Sequence, residues 1–245
     1  VGRRSAKRTG TQVPGTLMFR QWRLRRRCEV LARQCRQASL KPYIETCAGL
    51  HVDKLVNTPL ISVDLELTGL DAKHNQIIAI GWTLVDHGRI RFGSNQHIMV
   101  NAQQSVGHSA AIHELMDSEV AMGVPLETGL QALFEAAVGR VWLFHHAGLD
   151  VAFLQQACIA WAGVAPPFAV LDTMLMELVM KKRRDQPVKQ GELQLGTLRS
   201  SYNLPRYTAH NALIDACATA ELMLAISSKM SPSESLRLKP HIRYI

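Results

Sequence analysis

Apolar and polar positions follow two different rhythms along the chain, and the changes between them outline its organisation. From Phe19 to about Leu40 the spacing is helical, with Phe19, Trp22, Val30, Leu31 and Cys35 on one stripe and arginines around it. Pro42 is expected to end that helix, and residues 43–58 read as a connector. At Pro59 the rhythm changes. Leu60–Leu67, Gln76–Val85 and roughly Arg89–Val100 are predicted strands, the last two joined by the hairpin chemistry of Asp86-His87-Gly88-Arg89. Consecutive hairpin-linked strands are antiparallel. Helical spacing returns after Val100, with a short helix expected at His113–Ser118. An amphipathic helix follows over Leu126–Val138, burying Leu126, Leu130, Leu133, Phe134 and Ala137, with Gly139 at its C-terminal end. Val141–Phe144 is too short for a helix and reads as a buried fourth strand; Ala169-Val170-Leu171 reads as a fifth. Helices are expected over Leu149–Ala162, Asp172–Lys182, Leu195–Tyr202 and Asn211–Ser228.

Three antiparallel strands, then strands alternating with helices, predict an α/β protein with a mixed sheet flanked by helices. The expected division is a basic extension over 1–56 with a disordered start at 1–17, one catalytic domain over 57–228, and a short tail over 229–245. No stretch of eighteen apolar residues occurs, so no membrane-spanning helix is expected.

Charge sharpens this division. The net charge is +8, and nine of the 28 Lys/Arg residues lie in residues 1–28, which contain no acid; the other 19 face 20 acids. The basicity thus belongs to the N-terminal segment and cannot be used to argue nucleic-acid binding by the folded body. Three readings fit that segment: a solvated basic helix packed on the body, an arm that grips phosphates, or a membrane-surface or targeting helix. Five scattered cysteines without a C-x-x-C form neither a disulfide framework nor a zinc site, and point to reduced, cytoplasmic surroundings.

The candidate chemistry lies in three segments. In Ile61–Leu70, Asp64 and Glu66 alternate with apolar residues and so emerge on one face of a strand. Two adjacent like charges are costly there unless a cation joins them, and carboxylate oxygens suit Mg²⁺ or Mn²⁺. His145-His146-Ala147-Gly148-Leu149-Asp150 places Asp150 in the first turn of a helix at the end of the fourth strand. The tandem histidines lack the further ligands that zinc requires. Tyr207–Ala216 places His210 just before a helix whose first turns carry Asp215 and small residues, Ala216, Cys217, Ala218 and Ala220, that pack closely on a sheet. Together they supply four carboxylates and a histidine at strand ends and helix starts, where an open α/β sheet forms its ligand crevice. Two hard cations roughly 3.5–4 Å apart would clamp the oxygens of a phosphoryl displacement and activate water. A histidine titrating near ~6.5 is suited to accept the water's proton. These residues predict metal-dependent phosphodiester hydrolysis.

The three segments resemble the motifs of the DEDDh exonucleases, the family of the proofreading (epsilon) subunit of bacterial DNA polymerase III. Asp64-Leu65-Glu66 with Thr68-Gly69-Leu70 resembles the first motif, His145 to Asp150 the second, and His210-x4-Asp215 followed by alanine the third. Leu171-Asp172-Thr173, Leu195-Gly196-Thr197-Leu198 and Tyr202-Asn203-Leu204 are similar too, so the resemblance spans about residues 58–226. It implies a ribonuclease-H-like fold and 3′→5′ release of nucleoside 5′-monophosphates, with Asp64, Glu66, Asp150 and Asp215 holding two Mg²⁺ or Mn²⁺ ions. It implies His210 as general base, and Leu67, Thr68, Gly69, Leu70 and His146 in contact with the 3′-terminal nucleotide. Leu67 stands where relatives commonly carry threonine, and His146 where they carry asparagine. About thirty residues follow the third motif, without a polymerase-docking segment. The expectation is therefore a stand-alone or proofreading-like exonuclease acting on single-stranded or frayed 3′ ends of DNA, with a polymerase as a partner to test. An exoribonuclease or oligoribonuclease is the alternative within the same chemistry, and a catalytically silent nucleic-acid-binding module the alternative outside it.

Overall fold

The computed structural model describes residues 14–101, 123–208 and 210–245. The expected helix at His113–Ser118 and most of the expected disordered start lie outside these residues. The described elements are α1 (Pro14–Gln34), α2 (Lys41–Cys47), β1 (Leu60–Leu67), β2 (Ile77–Asp86), β3 (Arg89–Met99), α3 (Leu126–Ala137), β4 (Val141–Phe144) and α4 (Ala147–Ala162). They continue with β5 (Ala169–Asp172), α5 (Thr173–Arg183), α6 (Leu195–Ser201), α7 (Ala212–Met230) and β6 (Arg243–Tyr244). The sheet order is β3-β2-β1-β4-β5-β6, antiparallel from β3 to β1, parallel from β1 through β4 to β5, and antiparallel again at β6. This is the mixed α/β sheet the apolar pattern predicts.

Alternation along the central strands builds two cores. Ile61, Val63 and Leu65 of β1, Trp142 and Phe144 of β4 and Val170 of β5 point to one side, where they meet α2, α3 and α4. Leu60, Val141, Leu143, Ala169 and Leu171 point to the other, where α5, α6 and α7 lie. Ser62, between Ile61 and Val63, faces α7 and donates to the carbonyl of Ala216 at 2.7 Å. Asp64 and Glu66 follow at two-residue intervals on that same face.

The N-terminal region departs from the sequence reading. α1 starts at Pro14, inside the stretch expected to be disordered, and ends at Gln34, before Pro42, which instead lies in the first turn of α2, where its missing N–H has no partner to lose. Residues 43–58 are more than a connector. Tyr43, Ile44 and Cys47 are buried, and the Tyr43 hydroxyl donates to the Pro167 carbonyl at 2.7 Å while accepting from the Trp142 indole at 2.9 Å. The expected α1 stripe also divides. Leu31 and Cys35 pack on the body with Leu24, Cys28 and Ala32, whereas Phe19, Trp22 and Val30 are exposed. At the other terminus the tail adds β6, fastened to the body by mutual backbone hydrogen bonds between Phe168 and Ile245 at 3.0 Å each.

Candidate active site

β1 outruns β4. The two pair only from Leu60↔Val141 to Ser62↔Leu143, so β1 projects beyond its parallel neighbour, and Asp64 and Glu66 stand on the projecting part. A register shift between Glu66 and Leu67 turns the strand end. Asp215 arrives from α7. Asn211 caps that helix, its side chain accepting from the Ile214 N–H at 3.1 Å. Oxygens of Asp64, Glu66 and Asp215 come within 4.8 Å of one another. Asp150, in the first turn of α4, is buried and stands outside that group, close enough to Asp64 for their charges to repel.

All four carboxylates are held above their usual range. Burial raises Asp64 most, and the charges of Asp150, Asp215 and Glu66 add to it. Burial, then Asp215, raises Glu66, against a downward pull from His210. Asp150 is pushed up to about 7 by burial, opposed by its own backbone N–H and that of Leu65. Burial raises Asp215 too, offset by the N–H and the ring of His210. Among the described residues none of the four forms an ion pair with lysine or arginine. Crowded carboxylates without a compensating cation are an all-oxygen donor set of the kind that suits Mg²⁺ or Mn²⁺. The residues present fit such ions.

Gly81 explains how Asp215 gets so close, and nothing in its sequence neighbourhood singles it out. It pairs with Asp64 across the β1–β2 ladder, and a methyl group there would overlap the backbone of Ala212 and Leu213 at the start of α7. The missing side chain is the space in which the helix N-terminus rests. Gly81→Ala is expected to lift α7 from the sheet, cost about 1–3 kcal/mol of stability and lower the hydrolytic rate about tenfold to a hundredfold. Because the obstacle is backbone, Ala212→Gly should not restore it. Unaltered kinetics in Gly81→Ala would show that Asp215 is placed by something else.

The remaining candidates surround this centre. His210 is exposed, with φ 68°, and its N–H donates to Asp215 Oδ2 at 3.0 Å. The two histidines of the second segment have different roles. His145 is tied through Nδ1 to Thr173 Oγ1 at 2.8 Å and through Nε2 to the Leu193 carbonyl at 2.9 Å, which leaves neither ring nitrogen for zinc. His146 is exposed at the start of α4 in a left-handed conformation. Asp172 fixes that turn, accepting from the N–H groups of His146 (3.2 Å), Ala147 (3.0 Å) and Leu175 (3.1 Å). After β1 the chain forms a closed loop. Thr68 N–H donates to the Gln76 carbonyl at 3.0 Å, the Gln76 N–H returns to Thr68 Oγ1 at 2.9 Å, and a side chain at Gly69 would strike Asn75. Leu67 is partly buried, while Leu70 is 81 % exposed. Leu70 and Lys73 form one wall of a groove whose other wall is the outer face of α4, with Gly148, Leu149, Ala152 and Gln156. The sequence reading missed this second wall; the small residues Gly148 and Ala152 beside Asp150 were its visible sign.

The family model described as Exonuclease (RNase_T) matches residues 61–223, about two-thirds of the chain. Among curated proteins, the 3′-5′ exonuclease DinG of Staphylococcus haemolyticus is 25% identical over 185 residues, which is 74% of this chain and 20% of that protein. The chain thus spans about a fifth of the length of this relative. Among solved structures, Exonuclease X in complex with 5′-overhanging duplex DNA superposes with a TM-score of 0.53 at 21% identity, covering 73% of this chain and 96% of that one. The Mg²⁺- and Mn²⁺-bound form of S. pombe Pop2p gives a TM-score of 0.57 at 15% identity, covering 91% and 95%. Both share the fold of this chain, the ribonuclease-H-like sheet expected from the motifs.

Proposed function

The chain belongs to the exonuclease family, and from that membership we propose that it is a metal-dependent 3′→5′ exonuclease of DNA that releases nucleoside 5′-monophosphates. The observation that carries this reading is the convergence of Asp64, Glu66 and Asp215 oxygens within 4.8 Å, without a basic partner among the described residues. A phosphodiester is itself anionic, so it cannot approach ionised carboxylates closely unless cations lie between them.

Asp64, Glu66 and Asp215 would hold Mg²⁺ or Mn²⁺, with Asp150 supporting from the α4 side. The ions would supply Lewis acidity, making water nucleophilic near neutral pH and offsetting negative charge as it develops on the phosphoryl group. The chain's own residues do the rest. His210, beside Glu66 and Asp215 and open to solvent, takes the proton from the attacking water. The loop from Leu67 through Thr68 and Gly69 to Leu70 receives the 3′-terminal nucleotide, and the exposed Leu70 side chain offers its base an apolar surface. His146 faces the same nucleotide from the start of α4, and the groove between Leu70 and α4 takes the strand behind it. The five free, buried cysteines fit a reducing, cytoplasmic setting, and no described helix is long and apolar enough to cross a membrane.

The test is degradation of matched, 5′-labelled single-stranded DNA and RNA with Mg²⁺, Mn²⁺ or EDTA. The expected result is a ladder shortening from the 3′ end of DNA that EDTA abolishes. Faster loss of RNA would move the substrate to RNA, and binding without cleavage of either polymer would make the chain a silent module.

A further inference from the structure

Helix α1 has two opposed faces, and folding accounts for one of them. At ~100° per residue, Leu24, Cys28, Leu31 and Cys35 fall together and pack on the body. Phe19, Trp22, Arg23, Arg26 and Val30 fall on the opposite side. Phe19 is 58 % exposed, Trp22 52 % and Val30 46 %. Two aromatic side chains directed away from the core add nothing to its burial, although each could contribute substantially if covered. They are also arranged. The two rings stack at 6.0 Å, and the guanidinium groups of Arg23 and Arg26 lie over Phe19 and Trp22 at 5.9 and 5.5 Å. Trp22, Arg23, Arg26 and Val30 line one shallow groove with Arg27.

We propose that this stripe is a second contact for single-stranded nucleic acid, remote from the catalytic carboxylates, in which Arg23, Arg26 and Arg27 meet phosphates and Phe19 and Trp22 stack on bases. The proposal rests on the exonuclease reading above. Charge complementarity supports it, since α1 carries six arginines against a single acid, Glu29, and the family's substrate is a polyanion. Interleaved aromatics and cations on one helix face form the combination that single strands recognise, stacking supplying affinity without sequence preference. A bilayer surface fits less well. A membrane-lying helix keeps an apolar face free with its charges on the other side, whereas here the helix's second apolar face is already packed on the body and the exposed aromatics share their stripe with arginines.

Position gives the proposal a length dependence. α4 begins at the site with Asp150 in its first turn and runs 16 residues, about 24 Å. Its far end is bonded to the turn that follows α1, the Arg36 N–H donating to the Ala162 carbonyl at 2.9 Å and the Gln37 side chain to the Trp161 carbonyl at 3.2 Å. At roughly 3.4 Å per stacked nucleotide, about seven nucleotides are needed just to cover the length of α4. A stacked strand of six falls short of that length, and a strand of twenty exceeds it.

The experiment measures binding of 5′-labelled six- and twenty-nucleotide single-stranded DNA by fluorescence anisotropy in EDTA, with hydrolysis of both measured separately in Mn²⁺. Arg23→Glu with Arg26→Glu is expected to weaken binding of the twenty-mer about tenfold or more and to flatten its salt dependence. Trp22→Ala should weaken it about fivefold or more. Hydrolysis of the six-mer in Mn²⁺ should stay at the wild-type rate in both variants, because its cleavage needs the carboxylate site alone. Twenty-mer affinity and salt slope equal to wild type would overturn the proposal. So would binding to phosphatidylserine vesicles that the substitutions abolish while twenty-mer affinity stays unchanged, which would make the stripe a membrane contact. Failure of the exonuclease reading registers separately, as no cleavage of either length by the wild-type protein in Mn²⁺.

Discussion

Asp64→Asn is expected to abolish metal-dependent hydrolysis while leaving the metal-free protein at least as stable as the wild type. The two halves of this expectation have one cause. Asp64 is the carboxylate on which burial and three neighbouring charges converge, so it is the group whose charge the metal-free fold tolerates poorly and the one through which, on the proposed function, cations would be held. Removing a site's central negative charge commonly stabilises a protein that keeps the charge for function. The pH dependence follows with a definite sign. These carboxylates have folded-state values above their unfolded ones, so the folded protein binds more protons through the window between them, and its stability falls as pH rises. Asp150's share is complete below about pH 4 and is lost as pH rises through about 7, and the raised Asp64, Glu66 and Asp215 act in the same direction. Metal-free wild type should therefore melt at progressively lower temperature from pH 5 to pH 8, and Mn²⁺, expected to bind only the ionised folded site, should reverse the fall. Asp64→Asn should show a shallower decline and little response to Mn²⁺. Thermal melting at several pH values, with and without Mn²⁺, checks this. A variant that cleaves DNA or is stabilised by Mn²⁺ as the wild type is would remove Asp64 from the metal site.

What was legible in the sequence tracks how local each cause is. Asp64 and Glu66 could be placed on one face because strand alternation is set within three residues, and β4 and β5 could be found because four-residue apolar runs have few other uses. The orientation of α1 could not be read. Its stripes through Phe19 and Trp22 and through Cys28 and Leu31 both carry apolar residues, and the choice between them is made by α2 and α4, over a hundred residues apart in sequence. β6 has two residues, both exposed, and exists because Phe168 and Ile245 meet. The same limit applies within the site. Gly81 matters only through its register with Asp64 and the backbone of α7. Arg199 reads as an ordinary basic residue on a short helix, yet it is 3 % exposed, donating to the carbonyls of Ala218 at 2.7 Å and Pro205 at 2.9 Å and pairing with Glu221 at 2.8 Å. A burial of that kind depends on three segments meeting, and no spacing rule reports it.

His210→Gly should slow hydrolysis by about 10²–10⁴-fold while leaving Mn²⁺ stabilisation largely intact, and added imidazole should restore part of the rate. Glycine is the informative replacement because residue 210 has φ 68°, a conformation that glycine adopts freely and alanine resists. The backbone N–H that donates to Asp215 survives the change, so the carboxylate keeps its partner and only the ring is lost. The approach to His210 is also held from outside the site. The Arg199 guanidinium lies 4.4 Å from the centre of the Tyr207 ring, and the Tyr207 hydroxyl donates to Glu221 Oε1 at 2.8 Å, so residues 205–207 are clamped to α6 and α7 on the way to residue 210. With that clamp and the Asp215 contact both unchanged in His210→Gly, a loss of rate can be assigned to the missing ring. Rescue by imidazole separates proton acceptance from support, because a free base can replace the first and not the second. A loss smaller than tenfold would mean that the water's proton leaves by another route. A large loss that imidazole leaves untouched, with Mn²⁺ stabilisation diminished as well, would mean that the ring's work is to hold Glu66 and Asp215 in place.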